Sequence, residues 1–197
     1  MKRRIPVLAA AAMLVAAAAA LYAWQAGCFL PRWIDWRQTA LTGPASERIV
    51  LAGRQVCVSG AGAVLWRSGR ELRVQDALVC DIDRDGQSEL LLLCWKRGRY
   101  GASRPFWVTR DEMGWSQHIF IYKLTAGGVR PVWMASEIGL EAASWRFDET
   151  ERLVITDRSG AQSAWDWVSW GLSRIGPATA CAPASPVPSA FSGGAYV

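Results

Sequence analysis

The chain has 197 residues, 51% hydrophobic and 20% charged, with 12 Trp, 18 Gly, 9 Pro, a single His and a net charge of +5. This balance excludes a wholly disordered chain. It also excludes a multi-pass membrane protein, because one segment alone is apolar for long enough to span a bilayer.

That segment comes first. Lys2, Arg3 and Arg4 open the chain, and no residue from Ile5 to Trp24 is charged. Twenty apolar residues at 1.5 Å each span about 30 Å, the thickness of a hydrocarbon core. The basic start stays in the cytoplasm and the rest is exported. Three fates fit residues 1–27. An uncleaved signal anchor suits the length and the interfacial Tyr22 and Trp24. A cleaved signal would use Ala18-Ala19-Ala20. Gln25-Ala26-Gly27-Cys28 resembles a bacterial lipobox, although Leu is usual at the place of Gln25, and Cys28 would carry the lipid. Three of the positive charges lie in Lys2–Arg4, so the exported part is near +2. That excess is too small to point to nucleic acid.

Residues 28–45 read as a spacer broken by Pro31, Gly43 and Pro44, with Trp33, Ile34 and Trp36 set against the membrane or the domain. Residues 46–176 read as strands. Arg48–Ala52, Gln55–Val58, Ala63–Arg67 and Leu72–Cys80 come first. Glu89–Trp95 is a continuous apolar run fit for a buried central strand. His118–Leu124, Val129–Met134, Ser144–Phe147, Arg152–Thr156 and Ala164–Trp170 follow. Turn residues at about 8–12-residue intervals give the rhythm of an all-β sandwich, barrel or propeller. Residues 177–197, rich in Pro, Ala and Ser, read as a disordered tail.

A faint repeat runs through the strands. A Trp strand (Val64–Ser68, then Pro131–Ser136) precedes a strand ending in Asp, a polar turn and an apolar strand. Trp66, Trp133 and Trp145 take equivalent places, which favours packing roles. About 130 residues hold roughly three four-stranded units at 40–45 residues each. This is short of the four to eight blades of a complete propeller. The expectation is all-β, propeller-like antiparallel sheets: a partial propeller completed by a second copy, or a β-sandwich.

The polar turn of the first copy is the most informative stretch. Asp81, Asp83, Asp85 and Glu89 stand at loop positions 1, 3, 5 and 9, with Gly86 at position 6. Alternate residues of a tight loop can aim oxygens at one Ca²⁺, and Gly86 permits the positive φ of the sharp bend. Gln87 would offer its backbone carbonyl, while Arg84 and Ser88 point outward. An EF-hand needs an acid at position 12, where this chain has Leu92 within an apolar run. The strand-loop-strand setting resembles the calcium loops of FG-GAP or VCBS-type β-propeller repeats, as in integrin α-chains. The resemblance covers residues 77–93 well and the rest loosely. It implies Asp81, Asp83, Asp85 and Glu89 as side-chain ligands and Gln87 as the carbonyl ligand. No Phe-Gly-Gly-Ala-Pro-like segment is present, and the second copy keeps only Asp148, Glu149 and Glu151. The plain alternative is an exposed Asp-Gly hairpin turn.

A basic aromatic loop follows: Trp95, Lys96, Arg97, Arg99 and Tyr100, then Arg104, Phe106 and Trp107. Arg and Trp suit contact with cell-wall polymer, lipid headgroups or a sugar ring. The alternative is a solvated loop with one Trp covering the core edge. Trp107 and Trp115 are the best sugar platforms. His118 opens a strand and no G-x-S-x-G elbow accompanies it, which favours a structural role. Cys28, Cys57, Cys80, Cys94 and Cys181 show no zinc or redox spacing. Cys80 and Cys94 read as buried thiols, with Cys57 pairing to one of them as the alternative. The reading is an exported, membrane-tethered, non-catalytic surface module holding one Ca²⁺. The alternative is a carbohydrate-binding or carbohydrate-active envelope protein.

Overall fold

The computed structural model describes residues 4–100, 106–125, 128–135 and 137–177. Arg104, Cys181 and all of the expected tail except Pro177 lie outside these residues. One helix, α1 (Arg4–Gln25), precedes twelve strands. They form three four-stranded antiparallel meanders. Sheet A holds β1 (Thr39–Thr42), β2 (Arg48–Ala52), β3 (Gln55–Gly60) and β4 (Ala63–Arg67). Sheet B holds β5 (Arg73–Cys80), β6 (Glu89–Arg97), β7 (Trp115–Thr125) and β8 (Gly128–Met134). Sheet C holds β9 (Ala142–Phe147), β10 (Leu153–Asp157), β11 (Gln162–Val168) and β12 (Gly171–Pro177).

The protein is thus all-β behind one helix, as the turn rhythm predicts, with three four-stranded units. Three differences matter. The expected spacer contributes β1, whose Thr39–Thr42 pair with Leu51–Arg48. Its Leu30 and Ile34 are buried against Trp95, with Trp33 and Trp36 packed alongside. A short apolar stretch between prolines carries no periodic signal, so this packing is invisible locally. The chain also adds β12 after the Trp-rich β11. Finally, Trp66 and Trp133 sit in the last strands of sheets A and B, but Trp145 sits in the first strand of sheet C. The repeat is out of phase with the sheets, and Trp145 is not equivalent to the other two.

Sheet B lies between its neighbours. Strand periodicity sends alternate residues to opposite faces. Leu90, Leu92 and Cys94 of β6 join Phe120 and Tyr122 in packing on Ile49, Leu51, Val56 and Val58 of sheet A. Leu91 and Leu93 join Ile119 and Ile121 in packing on Trp145, Leu153, Ile155 and Trp165 of sheet C. Every residue from Glu89 to Trp95 is buried, which explains the unbroken apolar run in the sequence.

A polar knot ties sheet B to sheet C. The Gln75 side-chain carbonyl accepts from Trp95 Nε1 at 2.9 Å and Gln117 Nε2 at 2.8 Å. The Gln75 amide donates to the Ala142 carbonyl at 3.2 Å, and the Ala142 N–H donates to Gln117 Oε1 at 2.7 Å. Buried amides need such partners. His118 is buried in the same way, bonded through Nδ1 to the Ala135 carbonyl and through Nε2 to Ser116, each at 2.9 Å. Burial holds its imidazole below the usual range, the behaviour of a structural histidine.

Cys57 alternates with the inward Val56 and Val58 and so faces away from the core. Cys94 lies between sheets A and B, and Cys80 packs on the B–C side. All three are free thiols, and their placement on different faces rules out the Cys57 pairing. Burial pushes the Cys80 thiol up to about 12, so it stays protonated.

Helix α1 stands clear of the sheets: Met13, Leu14, Val15, Leu21 and Tyr22 are all exposed. Its end is closed by Gly27 at φ +75°, with Cys28 N–H bonded to Ala23 O and Gly27 N–H bonded to Trp24 O. This is the glycine-terminated pattern of a helix C-cap. The domain then caps the remaining carbonyls. Trp115 Nε1 donates to Trp24 O at 3.2 Å and Arg73 Nε to Ala26 O at 3.0 Å. Among the described residues no helix is long and apolar enough to cross a membrane.

Candidate metal centre

The acidic loop joins β5 to β6 at the end of sheet B far from α1. The Cys80↔Glu89 pair closes this end of the ladder, and the Arg73↔Trp95 pair lies at the other. The loop is a self-bonded turn. Asp81 accepts from Asp85 N–H at 3.1 Å and from Gly86 N–H at 2.8 Å. Asp83 accepts from Asp85 N–H at 3.1 Å, and Asp85 from Gln87 N–H at 2.9 Å. Gly86 sits at φ +86°, the left-handed conformation expected at position 6.

Asp81, Asp83 and Glu89 each bring a carboxylate oxygen to within 4.8 Å of the others. This cluster can hold a metal ion. Glu89 is the unusual member. Its side chain is 1% exposed, and Oε2 accepts the Ile82 N–H at 3.2 Å. Its Oε1 is buried without a hydrogen-bond partner. Burial, reinforced by Asp83 and Asp85, pushes its carboxyl up to about 7. A buried carboxylate oxygen left bare is costly, and a cation beside two further acids would satisfy it. The donor set therefore fits a hard, oxygen-seeking ion.

Asp85 stands apart from the cluster. Asp85 is ion-paired with Lys123, which holds its carboxyl below the usual range. The same ammonium lies 3.8 Å from Glu89 Oε1. Lys123 escapes local reading because 34 positions separate it from Glu89; it arrives through the β6–β7 register, directly opposite Glu89. Arg84 points outward as expected and reaches Asp166 of sheet C at 2.9 Å. In the second copy, Asp148 is occupied by Thr150 and Arg152 at 2.7–3.0 Å.

The basic aromatic residues divide. Trp95 is a correction to the expected contact loop: it is 5% exposed, its ring edge-on to Trp33. Trp115 is half-buried against α1: its indole N–H is bonded to the helix end and the Arg73 guanidinium lies 5.8 Å from its ring. Lys96 lies 5.7 Å from the Phe120 ring and Arg97 5.1 Å from the Trp24 ring. Arg99 pairs with Glu137 at 2.5 Å, and the Tyr100 N–H donates to Asp111 at 3.2 Å. Among the described residues of this set, Phe106 and Trp107 remain open, 94% and 69% exposed and edge-on to each other.

No protein-family model, curated protein or solved structure matches this chain.

Proposed function

We propose that this is an exported, membrane-tethered, non-catalytic surface module whose Asp81–Glu89 loop binds Ca²⁺. The observation that carries the ion is the bare buried oxygen of Glu89 beside Asp81 and Asp83. Ca²⁺ suits it best: the donors are all oxygen and the loop is irregular. The FG-GAP-type spacing supports the same choice. Without an acid at position 12, the affinity is expected at about 10⁻⁴–10⁻³ M. The ion would stiffen the β5–β6 turn and perform no chemistry. The tether rests on the uncharged run from Ile5 to Trp24 and on apolar side chains exposed around α1, the pattern of a helix with no soluble partner. Calorimetric titration of the whole chain in detergent tests the ion: Ca²⁺ should bind at a single site, and Asp83→Asn should remove it. Equal heats for both proteins would refute the site.

A second reading, glycan binding, is favoured by the open Phe106–Trp107 pair. Retention on cell-wall polymer that is lost on Trp107→Ala would support it.

A further inference from the structure

The end of the domain that receives α1 is a belt of tryptophan and arginine. Arg54 lies 4.1 Å from the Trp36 ring, Arg97 5.1 Å from Trp24, and Arg73 and Arg158 each 5.8 Å from Trp115 and Trp33. Beside the helix end a cavity of about 550 Å³ is lined by Ala26, Gly53, Gln55 and the three arginines Arg54, Arg70 and Arg73. Among the described residues none of these three guanidinium groups, nor that of Arg97, pairs with a carboxylate. The neighbouring Glu71 folds back over Gly69 and does not line the cavity. Arg73 is held in place by its bonds to Ala26 O and Leu72 O, the latter at 3.0 Å, so its charge is fixed at the rim. Arg54 projects from the two-residue turn it forms with Gly53, both at positive φ. The β6–β7 connection leaves the sheet at this same end and carries the exposed Phe106 and Trp107.

We propose that this end of the domain lies on the lipid surface, and that the Arg54–Arg70–Arg73 cavity seats the phosphate of an anionic phospholipid headgroup. The proposal rests on α1 being the membrane tether. The helix end places the cavity at the level where the hydrocarbon stops, since Ala26 and Gly27 follow directly on the apolar run. Tryptophan belongs at that level, and each basic residue there gains from anionic lipid. Arg54 and Arg70, without carboxylates, offer the paired N–H donors that phosphate oxygens accept, and Arg73, whose Nε and Nη1 are bonded to backbone carbonyls, adds a fixed positive charge. Phe106 and Trp107 would dip into the same interface. Phe106 and Trp107 are then a lipid contact, and a glycan contact is the outcome that flotation and exchange would oppose.

The test uses the full chain with phosphatidylcholine vesicles and with vesicles also containing phosphatidylglycerol. Flotation with phosphatidylcholine alone reports the tether. Amide exchange at residues 53–55 and 70–73 reports the headgroup seat, and should slow on the order of 10-fold when phosphatidylglycerol is present. Arg54→Gln with Arg70→Gln should abolish that difference while leaving flotation intact, and Arg70→Lys should preserve most of it. A chain that floats yet exchanges identically on both lipids overturns the seat and leaves the tether standing. If the chain floats only with phosphatidylglycerol, the seat survives and the tether does not. Should it float with neither, both are wrong. Unchanged thermal unfolding of the double variant confirms that it is folded.

Discussion

The two ends of sheet B are chemical opposites. About 25 Å of strand separates them, from Arg73 to Cys80 at 3.4 Å per residue. At the α1 end, arginines rest on tryptophan faces and on helix carbonyls, and among the described residues no carboxylate pairs with Arg54, Arg70, Arg73 or Arg97. At the other end, acids outnumber their cationic partners, and one buried carboxylate oxygen has no hydrogen-bond partner. Both arrangements are held rigidly by the same β5, β6 and β7, but by different means. The α1 end is fixed by buried aromatic packing and a complete amide network. The loop end is fixed by short turns whose charges remain unbalanced.

The largest effect expected from breaking this contrast is at the α1 end. Trp95→Ala removes a buried ring and one of the two donors to the Gln75 carbonyl; it should cost about 3–5 kcal/mol, measured by denaturant unfolding. The loss should be the same with calcium or chelator. At the loop end, Ca²⁺ at ten times its dissociation constant should stabilise the protein by about 1.4 kcal/mol. Asp83→Asn should abolish that gain. Asp85→Asn should weaken it less, because Asp85 serves Lys123. Lys123→Gln removes a competing charge and should tighten calcium binding; weaker binding would mean that Lys123 positions Asp85 for the ion.

A smaller effect concerns pH. His118 is held below its ordinary pKa of 6.5 by burial, with Lys96 acting in the same direction and Glu137 against it. The folded state thus resists protonation longer than the unfolded chain. The His118 contribution should be full above about pH 6.5 and should fall as pH drops from there through the lower folded value, while Glu89, raised to about 7, acts in the opposite direction, so the His118 part is read as the difference from His118→Gln. Thermal unfolding of both proteins across that window should show that difference. The smallest effect is expected at the exposed pair: Phe106→Ser should change stability by less than about 0.5 kcal/mol.

The sequence reveals these two ends unequally. The acids of the loop stand at fixed spacing, so Asp81, Asp83 and Glu89 are readable as a cluster, and Gly86 as its bend. Their rival Lys123 is not, because strand register alone brings it opposite Glu89. At the α1 end, the strands are legible from alternation, but the roles of their aromatic residues are not. Trp95 and Trp107 look alike in a basic loop, yet one closes the core and the other faces solvent. What separates them is Trp33 and Gln75, which reach Trp95 from 62 and 20 positions away. The spacer misleads for the same reason: Leu30 and Ile34 have no periodic neighbours, and only the packed Trp95 makes them core residues.

Each sheet is a meander in which every strand bonds to the next in sequence. For a chain that emerges from its N-terminus, sheet A emerges whole before sheet B begins, and sheet B before sheet C. No strand must wait for a distant partner to complete its ladder. The apolar face of each finished sheet does wait, and the next sheet to emerge is the one that covers it. Assembly is thus written as an order of arrival, with β6, the most apolar strand, exposed on its sheet C side until the last third of the chain is out.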